Sequence, residues 1–447
     1  MKRQVYLWAG LLCWALALIL LNLVLSGCNM RLYDSIEMLD SSMGATTDDD
    51  YIGPEIYLGD GRIISACSRY GDPKLYMRVY DPNNTSESNE YGYVSQTSYH
   101  YLGNYSSVYS LDIVWDPITE RGLMVYSVYG PKHYYCVFKV NPDNTLTINT
   151  VLVSSSYRYE RDELAINPAT GEIVRLYSTA YDTGTIFLEF ITINPVSMTI
   201  TRSGAKENQA ANRITATAYI FFDEPSGKYL FAYQTLETYA GFSGYNMNFR
   251  ILTTWNKTTM SLGPAYTTPD GPNFNAATQY LSFTYGGRIH RLVGHNKFLV
   301  EGLRLPAPDG FFYGYFFVID ISSGSMSRGQ LTAPAQTVTD SYAGSTTNIG
   351  WAPLMNKYIM DIQLSNSFNE DRWDYYFTIE DNKLVIDPES ADLMSTSSDP
   401  AGSNFIWMPE YNYLLKHHGR GYSQSWRIYG GYEGVFWTNF IGQTERL

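Results

Sequence analysis

The chain of 447 residues is poor in charge, cysteine and histidine. Charged side chains make up 17% of it and hydrophobic ones 45%, which excludes global disorder and leaves enough apolar material for a large core. The length fits two or three ordinary domains or one large repeat domain. Basic residues number 31 against 44 acidic ones and form no run; a chain of net charge −13 repels phosphate backbones, so no nucleic-acid partner is expected. The sequence contains no C-x-x-C, no H-E-x-x-H and no G-x-S-x-G, so the signatures of a zinc ribbon, a zincin and a serine hydrolase are missing. Of the four cysteines, Cys67 and Cys136 fall in different repeats and are expected as two buried free thiols. Past residue 53 there is no long 3.6-residue periodicity, so a mainly helical fold is excluded. What the chain has in abundance is aromatic: 40 Tyr, 20 Phe and 9 Trp. Such residues favour strands, and the expectation is an all-β exported protein.

Residues 1–28 read as a targeting segment. Lys2 and Arg3 precede an almost wholly apolar stretch from Val5 to Leu25, which closes in Leu25-Ser26-Gly27-Cys28. That ending resembles the bacterial lipobox, in which a small residue precedes a cysteine that is lipidated and becomes the new N-terminus. The resemblance covers these 28 residues and implies a lipoprotein anchored through Cys28; the competing reading is an uncleaved signal anchor. Asn29 follows the cysteine where Asp would resemble an inner-membrane retention signal, so an outer-membrane or cell-surface location is expected. Residues 29–52, with Asp34, Glu37, Asp40 and Asp48 to Asp50, read as an acidic flexible tether.

Residues 53–447 carry two interleaved ladders of turns. The first places a tight turn between two apolar runs, as in Trp115-Asp116-Pro117, Ile166-Asn167-Pro168 and Phe222-Asp223-Glu224-Pro225. Its first residues fall at 60, 116, 167, 223, 295, 352 and 408, at intervals of 51 to 57 apart from one of 72. The second ladder lies between, at Asp81-Pro82, Asn141-Pro142, Asn194-Pro195, Asn256, Ser323-Gly324, Asp381-Asn382 and Gly430-Gly431. Asx-Pro and Asx-Gly corners have a mechanism, since Asx tolerates unusual dihedrals and proline presets φ. Each unit holds about four strands in roughly 50–60 residues. The repeat pattern resembles a seven-bladed β-propeller of the WD-like or quinoprotein-like kind, with about four antiparallel strands per blade. Val435 to Ile441 are expected to complete the last blade, unless a strand is donated from residues 30–39.

Two candidate surfaces follow from that expectation. The loops from second to third strands read as long and aromatic, making a top face with Tyr129, Tyr134, Tyr181, Tyr245, Phe312, Trp373, Tyr375 and Tyr422 as ligand-binding rings. The starts of the inner strands give a ring at the channel mouth: Glu55, Asp112, Asp162 or Glu163, Arg288 or His290, Asn348 and Asn404. Glu55, Asp112 and Glu163 are the candidate catalytic carboxylates for glycoside chemistry, and such a ring is also a place for Ca²⁺; no other cofactor and no other metal site is expected. The ring resembles that of lactonase-type propellers, although those have six blades. The leading functional reading is a membrane-anchored binding protein for a glycan or a protein partner. A glycan-active hydrolase or lyase, and a structural subunit of an envelope or virion assembly, are the alternatives.

Overall fold

A computed structural model describes the strands and tight turns between residues 32 and 432; residues 1–31 and 433–447 and most longer connections lie outside that description. The targeting segment therefore lies outside it. The strands form seven antiparallel sheets of four or five strands, and the arrangement is a β-propeller. In chain order the sheets span residues 50–104, 108–154, 161–208, 214–267, 280–328, 345–395 and 403–432. Their first strands stand side by side: Asp50–Tyr57 against Val108–Asp116, that strand against Arg161–Asn167, and that one against Ile214–Asp223. On the other side Ile289–Leu292, Ser345–Ala352 and Ser403–Met408 follow in turn, and the last of these lies beside Asp50–Tyr57.

Both faces of a sheet are covered by neighbours, so the strands are apolar on both sides instead of alternating with polar residues. In Arg121–Val128 every residue after the first is buried. Met124, Tyr126 and Val128 enter a cluster with Ile64, Leu75 and Met77 of the first sheet. Leu123 and Val125 enter another with Leu164, Ile173 and Ile191 of the third. Where two sheets come closest a side chain is left out. A Cβ on Gly350 of the sixth sheet would lie 2.4 Å from the Leu414 side chain of the seventh, and 2.8 Å from Phe405.

The turns of the first ladder close by the chemistry expected of Asx corners. Asp116 Oδ1 accepts from the Ile118 N–H at 3.0 Å and Oδ2 from the Thr119 hydroxyl at 2.6 Å. Asn167 Oδ1 accepts from the Ala169 N–H at 3.0 Å, and Asp223 Oδ2 from the Ser226 N–H at 3.2 Å. Because strands alternate in direction, these turns and the described turns of the second ladder, such as those after Val140, Ile193 and Glu380, lie on one rim. Two equivalent arginines stitch that rim together. Arg62 donates to the Asn141 carbonyl at 2.8 Å and to Asn144 Oδ1 at 3.2 Å, from the first sheet to the second. Arg121 donates to the Pro195 carbonyl at 3.1 Å, from the second sheet to the third.

The seventh sheet departs from the expected plan. Gly430 and Gly431 are not a turn; they lie inside the strand Ser423–Tyr432. The outer neighbour of that strand is Leu32–Asp40, paired antiparallel from Leu32 opposite Tyr432 to Asp40 opposite Gln424. Residues 32–40, read from sequence as tether, are thus the fourth strand of the last sheet, and 50–52 already belong to the first. The physical reason is legible in Leu32-Tyr33-Asp34-Ser35-Ile36-Glu37-Met38-Leu39, where apolar residues recur often enough for a strand despite the acidic ones. Val435 to Ile441 lie outside the described residues.

Candidate functional site

The side chains of an inner strand alternate between the two neighbouring sheets, so they do not all point into the channel. Asp112 shares its side of the strand with Val114 and faces the third sheet. Its Oδ1 accepts from the Ile113 N–H at 2.8 Å and its Oδ2 from the Leu164 N–H at 2.5 Å, which straps the inner strands of the second and third sheets together. Burial of this carboxyl, then the charge of Glu163, then that of Asp162, hold its pKa well above the ordinary carboxylate range, against the opposing effect of the two N–H bonds.

Asp162, one residue before Glu163, is turned the other way. It is buried, and its carboxylate binds Arg175 instead of lining a channel mouth. Glu163 is half-buried. Glu55 follows an irregularity between Ile52 and Glu55 that Gly53 and Pro54 occupy, and stands opposite Ser65. His290 and Asn404 are half-buried residues of the fifth and seventh sheets, in register with Leu299 and His417. Asn348 stands opposite Asp361 in the sixth, and Arg288 lies outside the described residues. Of the expected ring, the structure brings Asp112 to the strand that carries Asp162 and Glu163, through its bond from the Leu164 N–H. Among the described residues no three His, Cys, Asp or Glu side chains are placed to hold a metal ion.

A pH test follows from Asp112. A carboxyl whose pKa is raised on folding contributes stability that is fully present below its unfolded pKa near 4 and is lost as pH rises through the folded value. The difference in melting temperature between Asp112→Asn and the parent is therefore expected to grow in favour of the variant between pH 5 and pH 8. A difference that stays flat or runs the other way, read by calorimetry, contradicts the raised pKa.

The aromatic face also changes character. Tyr375 is 5% exposed and belongs to the cluster with Tyr358, Met360 and Phe377, so it is core and not a contact ring. Tyr134 is packed against the first and second sheets' shared cluster, its ring stacked on Tyr126 at 4.8 Å. Both were misplaced for one reason: strands run further toward the top rim than their turn residues suggest. Several connections read as long loops are short hairpins, such as Tyr239 to Phe242 and Arg420 to Ser423. Tyr245 and Trp373 lie in the strands Phe242–Asn256 and Glu370–Glu380. Tyr129, Tyr181, Phe312 and Tyr422 lie outside the described residues.

The fourth sheet adds a feature that turn spacing did not announce. Its second and third strands have 12 and 15 residues, and the first strand ends its pairing at Ile214 opposite Thr235. Beyond that point a two-stranded ribbon continues through Leu236–Tyr245, Glu237–Gly244, Thr238–Ser243 and Tyr239–Phe242, with no third strand paired to it among the described residues. Four such pairs extend about 13 Å past the inner strand.

Two buried charge clusters between sheets were missed. Between the second and third sheets, Arg175 Nε donates to Asp162 Oδ1 at 2.7 Å, Nη2 binds the same oxygen, and Nη1 binds the Tyr135 hydroxyl. Tyr135 Oη donates to Glu189 Oε2 at 2.7 Å, and Glu189 Oε1 accepts from Arg202 Nε. His133 Nδ1 lies 3.5 Å from Asp162 Oδ2; burial and the charges of Arg175 and Arg202 keep its imidazole neutral by driving its pKa far below the usual value. Between the sixth and seventh sheets, Lys416 Nζ donates to Asp374 Oδ1 at 2.6 Å and lies 2.9 Å from Asp361 Oδ2, all three fully buried. Arg175 and Lys416 are equivalent, each the fourth residue of its sheet's second strand, and each reaches back into the preceding sheet. The signal in the sequence was a charge inside an apolar run: Ile173-Val-Arg175-Leu, Leu414-Leu-Lys416 and Ile359-Met-Asp361-Ile. Cys136 is buried and free, its thiol pushed up to about 12 by burial, as expected; the Cys67 side chain lies outside the described residues.

No family model matches the chain, and no curated protein matches it. Among solved structures it is similar to a 6-phosphogluconolactonase-like structure from Bacteroides fragilis, at 12% identity and TM-score 0.48, over 83% of this chain and 88% of that one. It is also similar to the GH93 α-L-arabinofuranosidase of Fusarium graminearum in complex with arabinobiose, at 11% identity and TM-score 0.43, over 81% and 98% of the two chains. A third similarity is to the Nup170 N-terminal domain of Chaetomium thermophilum in complex with Nup53, at 7% identity and TM-score 0.47, over 90% and 61%. These are likenesses of fold and carry no argument about chemistry.

Proposed function

We propose that the chain is a lipid-anchored, extracytoplasmic protein whose seven sheets act as seven blades of one ring, and that it binds a glycan or a protein partner through the rim opposite the Asx turns. The observation that carries the binding reading is the ribbon of residues 236–245, which extends past the inner strand at that rim and carries Tyr239, Phe242 and Tyr245. Aromatic rings offer large contact area at low entropic cost and suit sugar faces as well as protein side chains. The anchor rests on the lipobox-like Leu25 to Cys28.

A second reading, glycan hydrolysis or lysis, is favoured by one observation: Asp112 and Glu163 interact electrostatically and the first has a raised pKa. Both oxygens of Asp112 already accept backbone N–H groups, so the catalytic load in that reading falls on Glu163 and Glu55.

One experiment separates these. The full chain and its Phe242→Ala, Tyr245→Ala and Trp373→Ala variants are screened on a glycan array and by pull-down, with melting measured in parallel. Truncating an exposed anchor ring costs about 1–4 kcal/mol of binding, a loss of roughly 5- to 1000-fold, with little change in melting. Unchanged affinity in all three, with the fold intact, places the contact surface elsewhere. Turnover that disappears in Glu163→Gln selects the enzymatic reading.

A further inference from the structure

The pairing of residues 32–40 sets the rim at which the chain enters the seventh sheet. Leu32 stands opposite Tyr432, at the far end of the strand from the hairpin Arg420–Ser423. The chain therefore enters the seventh sheet at the rim of the Asx turns and runs from there toward the opposite rim. A tether of 24 residues would have left the orientation open. With the strand beginning at Leu32, only residues 29–31 separate it from Cys28, and four Cα steps reach at most about 14 Å.

The two most exposed large apolar side chains among the described residues stand on the same rim. Ile118, in the turn between the first two strands of the second sheet, is 57% exposed, and Val196, in the turn between the last two long strands of the third, is 94% exposed. The Arg121 bond to the Pro195 carbonyl makes these two turns neighbours. Apolar tips held on rigid turns are costly in water and gain by entering a headgroup layer. The exposed ionic residues of this rim include Asp60, Glu120, Asp143, Glu224 and Asp381, while Arg62, Arg121, Lys228 and Lys357 are half-buried. That rim suits a zwitterionic surface better than an anionic one.

We infer that the Asx-turn rim is the face turned toward the lipid surface, touching it through Ile118 and Val196, so that the ribbon rim is presented outward. The inference rests on the membrane-anchor reading and deepens it: the anchor sets not only where the protein is but which surface meets a partner.

The test places an environment-sensitive fluorophore at single cysteines introduced as Ile118→Cys, Val196→Cys and, on the opposite rim, Ser423→Cys, in the full chain recovered with membranes. The unsubstituted chain is the labelling blank for Cys67 and Cys136. After reconstitution into phosphatidylcholine vesicles that contain a nitroxide-headgroup lipid, emission at 118 and 196 is expected to fall by roughly half, and that at 423 to stay unchanged. Phosphatidylglycerol in the vesicles should weaken the quenching. Quenching at 423 without quenching at 118 and 196, or at none of the three in membrane-bound protein, overturns the inference. Intact mass of the same sample reports the acyl chains. A membrane-bound chain without them defeats the lipobox reading alone, since an uncleaved leader ends at the same residues and the probe pattern still decides orientation. A chain absent from membranes altogether defeats both.

Discussion

Replacing Lys416 by Met is expected to cost about 3–5 kcal/mol of folding stability, because it leaves the Asp361 and Asp374 carboxylates buried without the ammonium between them. The loss is not the worth of the ion pairs. Taking three charges out of water is itself expensive, and their mutual attraction in the interior does little more than repay it. The comparison that separates the two quantities is the triple variant Lys416→Met, Asp361→Leu, Asp374→Leu. Removing the charges together should recover most of the stability, and denaturant unfolding of both variants measures it. A triple variant as unstable as the single one would mean that the cluster contributes something apolar packing cannot replace.

Arg175→Met is expected to fall in the same range, about 3–5 kcal/mol, for a related reason. Two cations, Arg175 and Arg202, balance two anions, Asp162 and Glu189, around the Tyr135 hydroxyl. Removing Arg175 leaves Asp162, buried at 3% exposure, without the guanidinium that holds it. Arg175→Lys should rescue only part of the loss, since an ammonium lacks the fork that serves Asp162 and Tyr135 at once. Arg202 is the internal contrast. Its side chain is 35% exposed, so Arg202→Met should cost clearly less than Arg175→Met. Equal costs, measured by unfolding, would contradict this account of the network.

Much of the fold was legible because turns have their own chemistry. Asp116, Asn167, Asn194 and Asp223 accept from backbone donors two or three residues on, and that requirement is written locally in the residue type. The last rung failed for the complementary reason. Gly430-Gly431 has the composition of a turn, but the strand continues through it because Tyr33 and Leu32, some 400 residues away, supply the partner. No local rule contains that information. The site was less legible still. A period-2 strand puts neighbours on opposite sides, so Asp162 and Glu163 look interchangeable in sequence, yet one is held in a charge cluster and the other is half-buried. Tyr375 shows the same limit: an aromatic near a turn reads as a contact ring until the length of the strand places it in the core.

The strand Leu32–Asp40 is made first and satisfied last. Its partner, Ser423–Tyr432, emerges only after every other sheet, so the contact that completes the seventh sheet closes a loop of nearly the whole chain. The entropic cost of that closure grows only with the logarithm of length, roughly 3 kcal/mol beyond that of a ten-residue hairpin. Time is the larger matter. Until the C-terminal strand arrives, the N-terminal one waits as an unpaired edge of apolar and acidic residues, and long-range pairings of this kind are slow and open to wrong partners. A chain cut short before residue 423 would lose more than one sheet's third strand: it would leave the earliest-made segment with nothing to pair with. The acidic residues Asp34, Glu37 and Asp40, which made the segment look like a tether, then have a second use as charges that keep a waiting edge from pairing with its neighbours.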